Sequence, residues 1–255
     1  MPSRPYLVKL GGSIITRKEL EYTVDRESLC LIGRILSQAQ YLPSVIIHGG
    51  GSFGHPIVHH LVSIKGSLSP RDLPLITHKM DVLNREVIRC LLEYQLPVVS
   101  FPPHALCNRD YRGELLYCNM EVVWKAVNEG LIPILYGDAI LGSSSGVYIV
   151  SGDELMVYIS RKYRIPLLYF LTDVDGVYED MRSKRVVKRI SISDVSVIDI
   201  KGSENIDVTG GMRAKLDFIK KLAPGSRVYI LNGRREDHLE EAFLKDGNPG
   251  TLILV

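Results

Sequence analysis

Eight short apolar runs frame this chain: Tyr6–Leu10, Val45–His48, Pro97–Ser100, Ile132–Tyr136, Val147–Val150, Leu167–Thr172, Arg227–Leu231 and Thr251–Val255. Several are continuous rather than alternating, which predicts strands covered on both faces, as in a largely parallel sheet. Between them the spacing becomes helical. Asp25 stands where it can cap a helix that keeps Leu29, Ile32, Leu36 and Ala39 on one face. Ile76, Met80, Leu83, Val87 and Leu91 predict a longer amphipathic helix, its stripe either core or the wall of an apolar pocket. Asp153 is placed to cap a helix holding Leu155, Tyr158 and Ile159, and Thr209 precedes one with Met212, Leu216 and Ile219. Strands alternating with helices predict an α/β fold with helices on both faces of the sheet. Residues 63–74 and 102–114 read as polar Gly/Pro-bearing connections, candidates for mobile loops.

Composition narrows the function classes. A chain of 255 residues without repeat or linker suits one full-sized domain. A formal charge of +2 argues against a nucleic-acid protein that relies on a broad basic surface. Cys30, Cys90, Cys107 and Cys118 lie far apart with no C-x-x-C pair, so metal-ligand spacing is absent and reduced thiols in the cytoplasm are expected. The N-terminus shows no signal-peptide pattern, and no apolar run nears the ~20 residues of a membrane helix.

The chemistry-bearing segments follow the apolar runs. His48-Gly49-Gly50-Gly51-Ser52-Phe53-Gly54-His55-Pro56 has four glycines in six positions after a strand-like run. Such a loop opening a helix suits a phosphate, because backbone donors and the helix dipole both favour negative charge. His55 then places an ionisable donor beside that phosphate; His48 reads as structural, and His59 and His60 as a solvated helix face. Lys9-Leu10-Gly11-Gly12-Ser13 joins free backbone donors to a compact cation, but matches neither a Walker loop nor G-x-G-x-x-G. Ser151-Gly152-Asp153-Glu154 offers a backbone donor and a carboxylate, with Asp153 a plain cap, an anchor for lysines or a holder of a metal ion through water. Thr172-Asp173-Val174-Asp175-Gly176 is a polar turn where open α/β sheets bind ligands. Asp207-Val208-Thr209-Gly210-Gly211-Met212-Arg213-Ala214-Lys215 is a further phosphate-type turn opening a helix.

Together these segments, in this order, resemble the amino acid kinase family, whose members include acetylglutamate, carbamate, aspartate and uridylate kinases. The likeness runs from Lys9 to the final strand. It implies a three-layer αβα sandwich with a central, mainly parallel sheet, in one domain whose N-terminal half binds the acceptor and whose C-terminal half binds ATP. The Gly-Ser-Phe-Gly-His-Pro stretch is similar to that of the branch acting on isopentenyl phosphate, which implies ATP- and Mg²⁺-dependent formation of the diphosphate in isoprenoid biosynthesis. By resemblance His55, Gly50, Gly54 and Gly152 hold the acceptor, while Lys9, Gly11, Gly12, Ser13, Gly51, Asp173, Gly176, Gly211 and Lys215 serve ATP. Lys18 falls where the family has a lysine assisting the transition state, Asp153 orients the catalytic lysines, and a cytoplasmic homodimer is implied. Glu154, Tyr136 and Arg213 depart from common family residues, which bears on fine specificity. The alternatives are a kinase of another small phosphate or a phosphonate such as fosfomycin, and a nucleotide-binding regulator without turnover.

Overall fold

The computed structural model describes residues 4–110, 115–143, 146–179, 183–194 and 210–255. Its central sheet has eight strands. From β1 (Leu7–Leu10) it extends one way through β2 (Val45–His48), β6 (Ile132–Tyr136) and β3 (Val98–Ser100). The other way it passes through β9 (Leu167–Thr172), β11 (Arg227–Asn232), β12 (Thr251–Leu254) and β10 (Arg189–Ser191). Every neighbouring pair is parallel except β11 with β12.

Strand residues alternate between two apolar cores, as the pleat demands. Leu7, Ile47, Leu135, Leu168, Phe170 and Ile230 pack with α6 (Glu121–Asn128), α7 (Gly152–Tyr163) and α8 (Gly210–Ile219). Val8, Leu10, Ile46, Ile134, Tyr169 and Leu171 pack with α2 (Arg26–Gln38), α4 (Leu73–Leu92) and α9 (Glu236–Phe243). Burial on both faces explains the continuous apolar runs, and the architecture is the expected three layers. Asp25 caps α2 as expected, accepting from the Ser28 amide at 3.1 Å.

Four expectations need correction. Val147–Val150 is a strand, β8, but it lies outside the central sheet, in an antiparallel hairpin with β7 (Asp138–Leu141). The apolar content of this run hid its position: Ile149 is exposed. Residues 102–110 are structured rather than a plain connection, forming α5 (Pro103–Leu106) and β4 (Cys107–Arg109), which pairs with β5 (Leu115–Cys118). That antiparallel register sets Cys107 opposite Cys118 with Cα atoms 4.1 Å apart, and the two form a disulfide rather than free thiols. Finally, Asp153 is not a cap: Ser151 precedes α7, and its hydroxyl accepts from the Glu154 amide at 3.1 Å. Asp207, Val208 and Thr209 lie outside the described residues.

Candidate active site

The site forms where β1 and β2 end side by side, with Leu10 in register with His48. Each strand runs into glycines, and the two turns interlock. A side chain at Gly12 would place Cβ 2.4 Å from the Gly51 amide nitrogen. Gly51 has φ +47°, and its Cβ would meet the Thr16 hydroxyl at 2.1 Å. These glycines are therefore required by backbone-to-backbone approach, in addition to any ligand. α3 (Gly51–Lys65) starts from this junction with no acidic residue in its first turn. Its first N–H groups lack intrahelical partners and carry the positive end of the helix dipole.

α3 carries His55, which is exposed and lines the cavity described below. His59, expected on a solvated face, is exposed but also lines that cavity. His48 is fully buried, with Nδ1 3.0 Å from the Gly49 carbonyl oxygen, Nε2 3.3 Å from the Asn84 amide oxygen and its ring stacked on Tyr136. Burial pulls its pKa down to about 4, so it stays neutral and structural. Pro56 has a subtler effect. It lacks the N–H that would bond the Ser52 carbonyl four residues earlier, and the Tyr22 amide takes that oxygen at 3.2 Å. The Thr16 hydroxyl also accepts from the Ser52 amide at 3.0 Å. Two bonds thus tie the loop bearing Lys18 to the helix bearing His55.

A charge cluster lies beneath. Asp153, freed from capping, accepts from Lys9 at 2.5 Å, and Lys215 Nζ stands 3.7 Å from the same oxygen. Both lysines are over nine-tenths buried, and both ammonium groups sit near the Phe170 ring, at 6.0 and 5.6 Å from its centroid. Burial, joined by the like charge of Lys215, lowers the Lys9 pKa to about 8, although Asp153 opposes the fall. Burial also pushes the Asp153 carboxyl up, but the two lysines outweigh it and hold it below the usual range. α7 comes this close because Gly152 has no side chain: a Cβ there would lie 3.1 Å from both the His48 carbonyl and Lys9 Cε.

A second, more open pair follows β9. Asp173 accepts from Lys18 at 2.7 Å and from the Ser13 hydroxyl at 3.0 Å. Lys18 is 62% exposed, so this pair contributes little to stability and can exchange partners. Reasoning from sequence missed Arg234, which donates to the Ser13 carbonyl at 2.9 Å and pairs with Asp25 at 3.1 Å. It also missed Arg109, on β4, which grips Glu154 beside Asp153 at 2.5 Å. Neither arginine lies in a glycine-rich segment, so nothing local marked them.

One cavity of about 1270 Å³ joins these parts. Its lining includes the apolar Val58, Val62, Ile76 and Met80 of α3 and α4; Gly50, Gly54, His55 and Gly152; Lys9, Gly11, Gly12, Ser13, Gly51, Asp153 and Lys215; and Asp173 and Gly176, with further apolar side chains from Val174, Val177, Met212 and Phe218. Gly211 is the second residue of α8, the helix that carries Lys215. The α4 stripe divides: Ile76 and Met80 reach the cavity, whereas Leu83, Val87 and Leu91 are core. A cleft of this size exceeds the usual small-molecule site and has room for a nucleotide and a second ligand. Among the described residues no group of three or more His, Cys, Asp or Glu could hold a metal.

The model of the amino acid kinase family matches residues 5–232. An isopentenyl phosphate kinase of Methanothermobacter thermautotrophicus is 32% identical over 97% of this chain and 98% of the relative. One from Methanocaldococcus jannaschii is 28% identical over 93% of the chain and 94% of its own length. A crystal structure of an isopentenyl phosphate kinase superposes with a TM-score of 0.79 at 28% identity, covering 98% of this chain and all of that one.

Proposed function

This chain belongs to the amino acid kinase family, and from that premise we propose that it transfers the γ-phosphoryl group of ATP to isopentenyl phosphate, forming isopentenyl diphosphate and ADP. The observation that carries the reading is that one cavity is lined together by apolar side chains of α3 and α4, by His55 in the first turns of α3, and by two buried ammonium groups held by one carboxylate. A five-carbon chain fits the first, its phosphate the second and a triphosphate the third.

The chemistry needs little beyond alignment and charge neutralisation. A phosphate monoester has a second pKa of about 6, so its attacking oxygen is already deprotonated at neutral pH and no general base is required. The obstacle is repulsion: two unit charges 4 Å apart cost ~4 kcal/mol at an effective dielectric of 20. His55, with the backbone N–H groups of Gly50 and Gly152, grips the acceptor phosphate, and Gly54 lines the same part of the cavity. Lys9 and Lys215 neutralise the donor phosphates; Asp153 favours the protonated form of Lys9 and keeps both lysines aimed. Lys18, released from Asp173, meets charge developing on the transferred group. Gly11, Gly12, Ser13, Gly51, Asp173, Gly176 and Gly211 surround the nucleotide. In this reading the N-terminal half serves the acceptor and the C-terminal half serves ATP, within one domain.

Mg²⁺ fits as an ion carried on the triphosphate. The nearby carboxylates, Asp153 and Asp173, already hold ammonium groups, and Mg²⁺ keeps several waters and needs few protein ligands. When bound it would neutralise part of the donor charge. Among the described residues no helix is long and apolar enough to cross a membrane. From the family resemblance, and not from its cysteines, we place the protein in the cytoplasm as a homodimer serving isoprenoid biosynthesis. The test is ADP release with ATP and Mg²⁺ across isopentenyl phosphate, dimethylallyl phosphate, longer prenyl phosphates, fosfomycin and uridylate. Isopentenyl phosphate should give the highest kcat/KM; a large preference for fosfomycin or uridylate, or tight ATP binding without turnover, would overturn the assignment.

A further inference from the structure

Asp138 stands apart from the groups assigned above, yet lines the same cavity. It follows Gly137, whose Cβ position lies 3.4 Å from the Gly152 amide, one of the donors assigned to the acceptor phosphate. Its side chain is wholly shielded from solvent. Oδ1 accepts from the Ala139 amide at 2.9 Å, and Oδ2 accepts from the His104 amide at 3.2 Å and pairs with His104 Nδ1 at 2.7 Å. The cations nearby are held by other carboxylates: Lys9, whose Cε lies against Gly152, is bonded to Asp153. On α4, Asp81 accepts from the Tyr136 hydroxyl at 2.6 Å, and on β4, Arg109 is turned onto Glu154 and the Ile149 carbonyl. A buried carboxylate at this place would repel a phosphate dianion, and the ion pair it makes is with His104.

We propose that His104 is a positioning residue for the acceptor: the proton it shares with Asp138 cancels a buried negative charge at the acceptor end of the cavity, so that a phosphate dianion can settle on His55 and the α7 N-terminus. The inference rests on the reading that the acceptor is a phosphate. The bond to Asp138 raises the His104 pKa above its ordinary value against the effect of burial, while burial raises that of Asp138 against the effect of His104. Both shifts favour keeping a proton on the pair.

The test separates charge from structure. His104→Asn keeps an amide donor for Asp138 but supplies no proton. KM for isopentenyl phosphate should rise about tenfold, as one uncompensated charge several ångströms away would cause. KM for ATP and kcat should stay within about twofold. Adding Asp138→Asn removes the stranded charge, and the double variant should recover to within about threefold of the wild-type KM. An unchanged KM in the single variant, or a double variant as impaired as the single, overturns the proposal. If His104→Asn does not fold, Asp138→Asn alone decides: acceptor KM at or below wild type supports the proposal, and a rise of about fivefold or more refutes it. Wild-type turnover separates the two levels. No ADP from any phosphate acceptor refutes the underlying reading and this inference together, whereas an active wild type with indifferent variants refutes the inference alone.

Discussion

Asp153→Asn is the most searching perturbation of this site, because one carboxylate holds two buried cations. Lys9 already sits at about 8 with Asp153 in place. An ion pair 4 Å apart is worth ~4 kcal/mol at an effective dielectric of 20, and each ~1.4 kcal/mol moves a pKa by one. Without the carboxylate charge the Lys9 pKa should therefore fall from about 8 to roughly 5. At pH 7 the protonated share of Lys9 falls from about nine-tenths to about one-hundredth. Lys215, 3.7 Å from the same oxygen, loses its partner too.

The sign follows from the role. A lysine acts on phosphates only as the cation, so activity is present below its pKa and lost as pH rises through it. kcat/KM for ATP, which reports the free enzyme, should decline in the wild type as pH rises through about 8. In the Asn variant that limb should shift to below about pH 6. The rate at pH 7 should drop by about 10²–10³, the usual loss for a donor aimed at developing charge. The limb in kcat should lie at higher pH than that in kcat/KM, because bound ATP itself favours protonated lysines. ADP release measured directly by chromatography from about pH 4.5 to about pH 10 reads the limbs of both the wild type and the variant. An alkaline limb unmoved by the substitution, or a rate within about threefold of wild type at neutral pH, would show that Asp153 does not keep Lys9 charged.

His55→Ala should lower kcat/KM for isopentenyl phosphate by about 100-fold and leave ATP binding, followed by calorimetry, nearly unchanged. Lys18→Met should leave the melting temperature in place, since its ion pair is exposed, and cut kcat by about 10–100-fold; a wild-type kcat removes its assigned role. Gly51→Ala forces a side chain into a left-handed backbone and onto Thr16, so it should cost about 3 kcal/mol, read as a lowering of the melting temperature by about 9 °C. The Cys107–Cys118 bond closes a short loop and should contribute about 3 kcal/mol, so a Cys118→Ser variant that melts with the oxidised wild type would contradict the pairing.

How much could be read in advance depended on whether a signal was local. Strands buried on both faces left unbroken apolar runs, so β1, β2, β6 and β9 were legible almost to the residue. Val147–Val150 had the same composition but a different sheet, because partner choice is a property of two segments and not of one. Cys107 and Cys118 likewise needed the register of β4 and β5 before their pairing had meaning. The glycine turns were legible as turns, yet their spacing carries a second message: Gly12 and Gly51 are small for each other. Lys9 and His55 thereby acquire a fixed relation across two strands without any side chain between them. Pro56 extends the same logic. Its missing N–H leaves the Ser52 carbonyl for Tyr22, and that bond places the Lys18 loop over the start of α3. A segment that reads as one phosphate loop thus sets three things at once: where an anion can bind, how closely β1 may approach, and where a lysine from another loop comes to rest.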